Sequence, residues 1–312
     1  MLTNSYFIPP HPLNTAVLFM VFNRPDTTKR VFEAIQKAKP PRLYIAADGA
    51  RDNKEGEKEK VEQVRKFVLE NINWQCKVKT LFRDRNLGCK HAVSSAITWF
   101  FENEDMGIVL EDDCLPSQSF FWFCEELLKR YKDDMRIWHI GGANFQDGNW
   151  RGDADYYFSK YNHVWGWASW ANRWKFYDAE IRGISNTDFL NKTFKHPVVR
   201  KYWTRVFQTM KKSMLDTWDY QWVFTVWANN GLAIIPNVNM VSNIGFGIDA
   251  THTKGENQLV KSHQLILKNH PTQIIVNSEA DDYTFKHHYR VNSLFERIVI
   301  KLKRYFNAVS SV

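Results

Sequence analysis

The sequence predicts an α/β fold, a mostly parallel sheet flanked by helices. Three observations lead there. Short apolar runs alternate with segments of helical period as far as residue 131. A polar cluster follows each of those runs. No stretch approaches the length of a membrane span.

The first run, Thr15-Ala-Val-Leu-Phe-Met-Val-Phe22, is apolar without alternation, as a strand buried on both faces must be. Asn23-Arg-Pro-Asp-Thr-Thr28 has helix-start chemistry, and a helix is expected over Lys29–Lys39, stopped by Pro40 and Pro41. A second strand spans Arg42–Ala47 and ends at Asp48-Gly49. From Glu57 to Asn71, Val61, Val64, Phe67 and Val68 recur at helical spacing. Then come a strand over Val78–Phe82, a helix over Cys89–Asn103, a strand over Ile108–Leu110 and a helix over Ser119–Tyr131. Sheets of this kind bind ligands at the carboxyl ends of their strands. Those ends carry Phe22, Asn23 and Arg24, then Asp48, then Arg83 to Asn86, then Glu111, Asp112 and Asp113.

The second half is less regular and rich in aromatic residues. It holds Gly141-Gly142, His163-Val-Trp-Gly-Trp-Ala-Ser-Trp170 and Trp218-Asp-Tyr-Gln-Trp222. A helix is expected over Tyr220–Ala228, and a strand over Gly231–Met240 interrupted at Pro236. We expect one domain over 14–260, divided into a ligand-binding half (14–131) and an acceptor-side half (132–260). A C-terminal extension (261–312) reads as peripheral. Its tail sets Leu294, Phe295, Ile298, Val299, Leu302 and Phe306 on one helical face, with Arg297, Lys301, Lys303 and Arg304 among the polar positions. Such a helix docks on the protein or lies on an anionic inner-membrane surface.

Composition narrows the partners. The chain has 312 residues and a net charge of +8, which suits a phosphate-bearing ligand, nucleic acid or an anionic membrane. The basic residues are dispersed and the acids prominent, which argues against nucleic acid. Aromatics make up 15%, including 13 Trp, enough for a large aromatic core or for flat platforms under sugar rings. Cys76, Cys89, Cys114 and Cys124 form no CxxC pair and no zinc pattern, so a reduced cytoplasmic protein is expected. The first residues lack the basic and apolar regions of a secretory signal.

Three acids in a row, Glu111-Asp-Asp113, directly follow the apolar run Ile108–Leu110. Adjacent carboxylates repel, so a cation is expected among them. A hard divalent ion takes oxygen ligands and accompanies a nucleotide diphosphate. Asp113 is also placed to cap the helix after Pro116. No GxGxxG follows a strand and no GxxxxGK[ST] occurs, which argues against dinucleotide oxidoreductases and P-loop enzymes. Near the acceptor side, Asp219 and Asp216 are both candidates for a general base. Trp218 and Trp222 would wall Asp219 from water and raise its pKa, although Asp219 also stands where a helix cap would. Trp165, Gly166 and Trp167 are candidates for sugar contact, or form a hydrophobic corner.

The segments V-F-N-R-P, A-D-G, R-D-R-N-L-G-C and V-L-E-D-D, with the later W-G-W-A-S-W and G-F-G-I-D-A-T-H-T, resemble GT-A-fold glycosyltransferases. The nearest type is the bacterial nucleotide-diphospho-sugar transferases related to N-acetylglucosaminyltransferase I. The resemblance covers roughly residues 14 to 255. It implies an inverting transfer from a UDP-sugar to a saccharide or lipid-linked oligosaccharide, with Mn²⁺ or Mg²⁺, in surface polysaccharide synthesis. It makes Asp113 a metal ligand and turns Glu111 and Asp112 toward the donor sugar and ribose. Phe22, Asn23, Arg24 and Asp48 would hold base and ribose. Arg83 and Asn86 would approach the nucleotide, with Lys90 on phosphate. His252 would be a second metal or diphosphate contact, and Lys254 would neutralise the leaving diphosphate. The D-Y-Q-W spacing is shorter than the family's pattern, so the base stays open between Asp219 and Asp216. Nucleotidyltransferases carry G-x-G-x-R-L after the first strand where this chain has F-N-R-P. A non-catalytic carbohydrate- or nucleotide-binding protein is the remaining class.

Overall fold

The computed structural model describes residues 7–182, 188–212, 215–245 and 260–289. Its first half follows the expected alternation: β1 (Ala16–Val21), α1 (Pro25–Ala38), β2 (Arg42–Ala47), α2 (Glu57–Glu70), β3 (Lys77–Phe82), α3 (Gly88–Phe101) and β4 (Met106–Glu111). Pro25 lies in the first turn of α1, where its fixed φ suits a helix and its missing N–H is no loss. The helix therefore starts four residues before Lys29. Strand β1 lies between β2 and β4, parallel to both. Its residues alternate between two cores, Val17, Phe19 and Val21 on one side and Ala16, Leu18 and Met20 on the other. That two-sided burial is why the run shows no polar alternation.

Beyond β4 the chain forms β5 (Cys114–Pro116), α4 (Gln118–Arg130), β6 (Ile137–Gly141), β7 (Tyr156–Ser159), β8 (Trp167–Trp170) and the short α5 (Ala171–Trp174). Then follow α6 (Asp188–Thr193), α7 (Pro197–Lys212), α8 (Asp219–Ala228), β9 (Leu232–Pro236), β10 (Val241–Asn243) and α9 (Ser278–His287). The main sheet has eight strands in the order β3-β2-β1-β4-β8-β6-β9-β7. The sheet is mostly parallel, as expected, and its antiparallel members lie in the second half of the chain. Strand β8 runs antiparallel between β4 and β6, and β7 runs antiparallel to β9. The expected 231–240 strand ends at Pro236, as a missing N–H would require, and β10 pairs instead with β5.

Helix α8 begins at Asp219 and buries Trp222, Val223, Phe224, Val226 and Trp227 against the second core. The described residues 260–289 are stitched into the body of the protein. Leu265 joins the first core, the Gln264 side chain accepts from the backbone N–H of Ser119 (2.9 Å) near the start of α4, and Asp281 of α9 accepts from Ser159 Oγ (2.6 Å). No helix among the described residues is long and apolar enough to cross a membrane. The tail 293–312 lies outside the described residues.

Candidate active site at the acidic rim

Strands β1, β2 and β4 run parallel, so their carboxyl ends share one edge of the sheet. At that edge the β4 run ends in Glu111, and the turn to β5 carries Asp112 and Asp113. The cation present among them is Arg24, from the turn after β1. Its Nη1 donates to Asp113 Oδ2 at 2.7 Å and lies 3.8 Å from Asp112 Oδ1. The Phe22 backbone N–H donates to Asp112 Oδ2 at 3.2 Å. One guanidinium thus faces three carboxyl groups.

The imbalance shows in their ionisation. Burial, then the charges of Asp113, Asp112 and Asp219, pushes the Glu111 carboxyl well above its usual range. Burial pushes Asp112 up to about 7, against the opposing pull of Arg24. Arg24 is held more firmly protonated, since Asp112, Asp113 and Glu111 together outweigh its burial. A rim of this kind is poised to gain from an added cation.

Two backbones close over the rim. Strand β10 pairs with β5, and the Ile244 N–H donates to the Asp113 carbonyl at 2.8 Å. Gly245 follows, packed so closely that a Cβ there would stand 2.3 Å from Asp113 Oδ2 and 2.7 Å from Arg24 Nη1. The chain running on from Gly245 carries His252 and Lys254, both outside the described residues.

The structure separates the two candidate bases. Asp216 accepts from the N–H groups of Cys89 and Lys90, each at 2.7 Å. It caps α3 from the far half of the chain, because Leu87 at the cap position supplies no side-chain hydrogen bond. Asp219, at the first position of α8, accepts from Thr217 Oγ1 and sits close enough to Glu111 for their charges to interact. Cys89 lies among the same acids: burial, then Glu111, Asp216, Asp219 and Asp48, pushes its thiol up to about 12.

Other expected ligand residues hold the framework. Asp48 is buried and accepts from the Leu87 N–H (2.9 Å), which ties the turn after β2 to the turn after β3. Asn86 donates to the Gly49 carbonyl (2.8 Å) in the same junction. Asn23 donates to Glu57 Oε1 (2.8 Å). Arg83 reaches Ser95 on α3 (2.7 Å), and Lys90 Nζ pairs with Glu180 (2.9 Å). Trp167 corrects the sugar-platform expectation. It is 0% exposed, stacked on His139 and Trp218, with no face left for a ligand. Gly166 has φ +62, and a Cβ there would stand 2.8 Å from Val241 Cγ2, so packing and backbone shape account for the glycine. Trp165 stays half-buried, packed edge-on against Phe145 at 5.2 Å.

The sequence marked neither Arg51 nor Glu57 as a site residue. Arg51 donates from its backbone to Glu57 Oε2 (2.7 Å), while its guanidinium lies over Phe22, 5.7 Å from the ring centre. The only linear signal was their place just after a strand end and at a helix start.

No protein-family model matches the sequence, and no curated protein matches it. Several solved structures are similar in part. S. aureus TarS 1–349 is 9% identical, over 54% of this chain and 51% of that one, with a TM-score of 0.38. The galactosyltransferase LgtC in complex with donor and acceptor sugar analogs is 12% identical, over 68% and 70%, at 0.35. A UDP-glucose pyrophosphorylase complexed with UDP-glucose is 9% identical, over 53% and 79%, at 0.31. This chain therefore spans about half of the TarS fragment's length. At these scores the overlap is partial.

Proposed function

We propose that the protein is a GT-A-type glycosyltransferase, moving a sugar from a nucleotide diphosphate, a UDP-sugar, to a saccharide or lipid-linked acceptor with inversion. One observation carries this: the convergence of Arg24, Glu111, Asp112, Asp113 and Asp219 at the carboxyl edge of a parallel sheet. The acids come from the ligand-binding half and the base from the acceptor half, so donor and acceptor would meet between them.

The donor set fits a hard divalent cation. Asp112 and Asp113 converge on one cationic point, and their oxygens are the ligands that Mn²⁺ or Mg²⁺ prefers. No group of three or more His, Cys, Asp or Glu among the described residues would hold a metal by itself. Oxygens of the donor diphosphate would complete the shell, which makes metal and donor binding interdependent. When bound, the metal supplies charge neutralisation on the departing diphosphate. Arg24 would then turn from the acids to the phosphates. Asp219 takes the proton from the acceptor hydroxyl as its oxygen bonds to the anomeric carbon and the anomeric carbon–phosphate oxygen bond breaks. The work would serve surface polysaccharide synthesis, in the cytoplasm or on the inner membrane face.

A thermal-shift panel of nucleotide sugars, with and without Mn²⁺, tests this. Stabilisation by UDP-sugars should require the metal and vanish in Asp113→Ala with the circular dichroism spectrum unchanged. Product analysis should find UDP; pyrophosphate instead would mean nucleotidyl transfer. Indifference to every nucleotide sugar, with or without metal, would overturn the reading.

A further inference from the structure

A cavity of about 140 Å³ opens between the start of α3, the end of α7 and α8. Its walls come from four elements: Lys90 near the start of α3, Glu180 and Ile181 after α5, Met210, Lys211 and Lys212 at the end of α7, and Gln221 on α8. Two of these walls adjoin the site by chain connectivity. Lys90 follows Cys89, which sits among the rim acids, and Gln221 lies two residues past Asp219.

The lining is unbalanced in charge. Lys90 pairs with Glu180, while Lys211 and Lys212 form no ion pair among the described residues. Gln221 is 3% exposed, and its Oε1 has no hydrogen-bond partner among the described residues. A buried acceptor left unpaired is costly, and a hydroxyl arriving in the cavity would satisfy it. Met210 and Ile181 add an apolar wall suited to the C–H face of a sugar ring. The volume is below the usual range for a whole drug-sized ligand, roughly 300–1,000 Å³, so it matches one sugar residue or its substituent.

We propose that this cavity seats an anionic saccharide, a sugar bearing a carboxylate or phosphate, as the acceptor's recognition group. Lys211 and Lys212 meet the anion, and Gln221 accepts from a neighbouring hydroxyl. The proposal deepens the glycosyltransferase reading and rests on it for the word acceptor; the binding itself does not. Lys90 then serves the acceptor side through its Glu180 bridge, rather than the donor phosphate.

The test is direct binding by titration calorimetry to the full chain without donor. The probes are methyl β-D-glucuronide, glucose 6-phosphate and methyl β-D-glucoside. The charged probes should bind roughly tenfold or more tightly than the neutral one, as charge-assisted hydrogen bonds would give. In K211A/K212A, which alters only exposed side chains, that preference should fall to near unity. Gln221→Met should weaken both charged probes about equally; if it misfolds, the double variant decides. The glucuronide and the phosphate ester separate the two anion sources. Equal binding of charged and neutral probes, or an undiminished preference in the double variant, would overturn the proposal. UDP binding, followed in parallel, separates the two ideas. Nucleotide binding without charge preference sinks the cavity alone, and charge preference without nucleotide binding sinks the transferase reading alone.

Discussion

The acidic rim and the tryptophan-rich core behind β8 handle buried polarity in opposite ways. At the rim, Glu111, Asp112 and Asp113 crowd around one guanidinium, and two of the acids are pushed toward their neutral form. In the core, His139 bonds the His163 carbonyl with one ring nitrogen (2.9 Å) and accepts from Trp222 Nε1 with the other (3.2 Å). Trp222 packs in turn against Trp138, Trp167 and Trp174. One region keeps an electrostatic debt that a ligand would relieve, while the other pairs its buried histidine internally and is held by ring packing. Substitutions should therefore divide: rim changes alter function with little loss of fold, and core changes do the reverse.

The largest expected effect is Asp219→Asn. It removes a proton acceptor without changing shape, so kcat should fall about 10²- to 10⁴-fold while the melting temperature holds. A large loss of stability would break the comparison, since Asp219 would then be structural. Trp222→Ala is the converse. A fully buried indole is deleted from a cluster of four, and urea unfolding should show a loss of about 3–5 kcal/mol. If Trp222→Ala left stability intact and abolished acceptor turnover, the core would be a binding wall after all.

The same contrast explains what the sequence made legible. Strands β1, β2 and β4 were readable because each is a short apolar run ended by polar residues and buried on both faces, while the edge strand β3 is more exposed. The acidic turn stood out for the same reason. The second half resisted because β7 and β8 have four residues each, too few to show a period. Aromatic residues add to that, since Trp167 in a core and Trp167 under a sugar read alike. The Asp216 cap spans 127 residues, and nothing local to either partner announces it. Arg24 was read as a nucleotide contact, and only the fold shows that it also pairs with the acids.

Asp216 gives a smaller, sharper test of that long-range tie. Its carboxylate satisfies two N–H groups at the start of α3 and lies against Gly88, where a Cβ would stand 2.6 Å from Oδ2. Asp216→Ala should cost about 1–2 kcal/mol, the ordinary worth of a helix cap. Hydrogen exchange should rise at Cys89 and Lys90 first. Because Cys89 faces the rim acids, loosening this turn should also weaken donor binding modestly. A kcat loss as deep as that of Asp219→Asn, with the helix start still protected, would instead return Asp216 to candidacy as the base.

The smallest expected effect is a pair of opposed pH slopes. Asp112 is raised in the folded protein, from 3.8 to about 7, and Glu111 is raised as well. Below pH 4 their contribution to stability is fully present, and it is lost as pH rises toward 7, because the folded state holds those protons longer. His139 is lowered from 6.5 to about 3 by burial, and His163 is lowered too. Their contribution is present above pH 6.5 and lost as pH falls below it, because the unfolded chain takes those protons first. Between pH 4 and 6.5 the two trends therefore cancel in part. Asp112→Asn removes one of the rim contributions and keeps an oxygen for the Phe22 N–H. Urea unfolding from pH 5 to 7.5 should show the variant gaining on the wild type as pH rises, by about 1 kcal/mol at the upper end. A constant difference across that range would mean that Arg24 already neutralises the rim, and that the acids need no further cation.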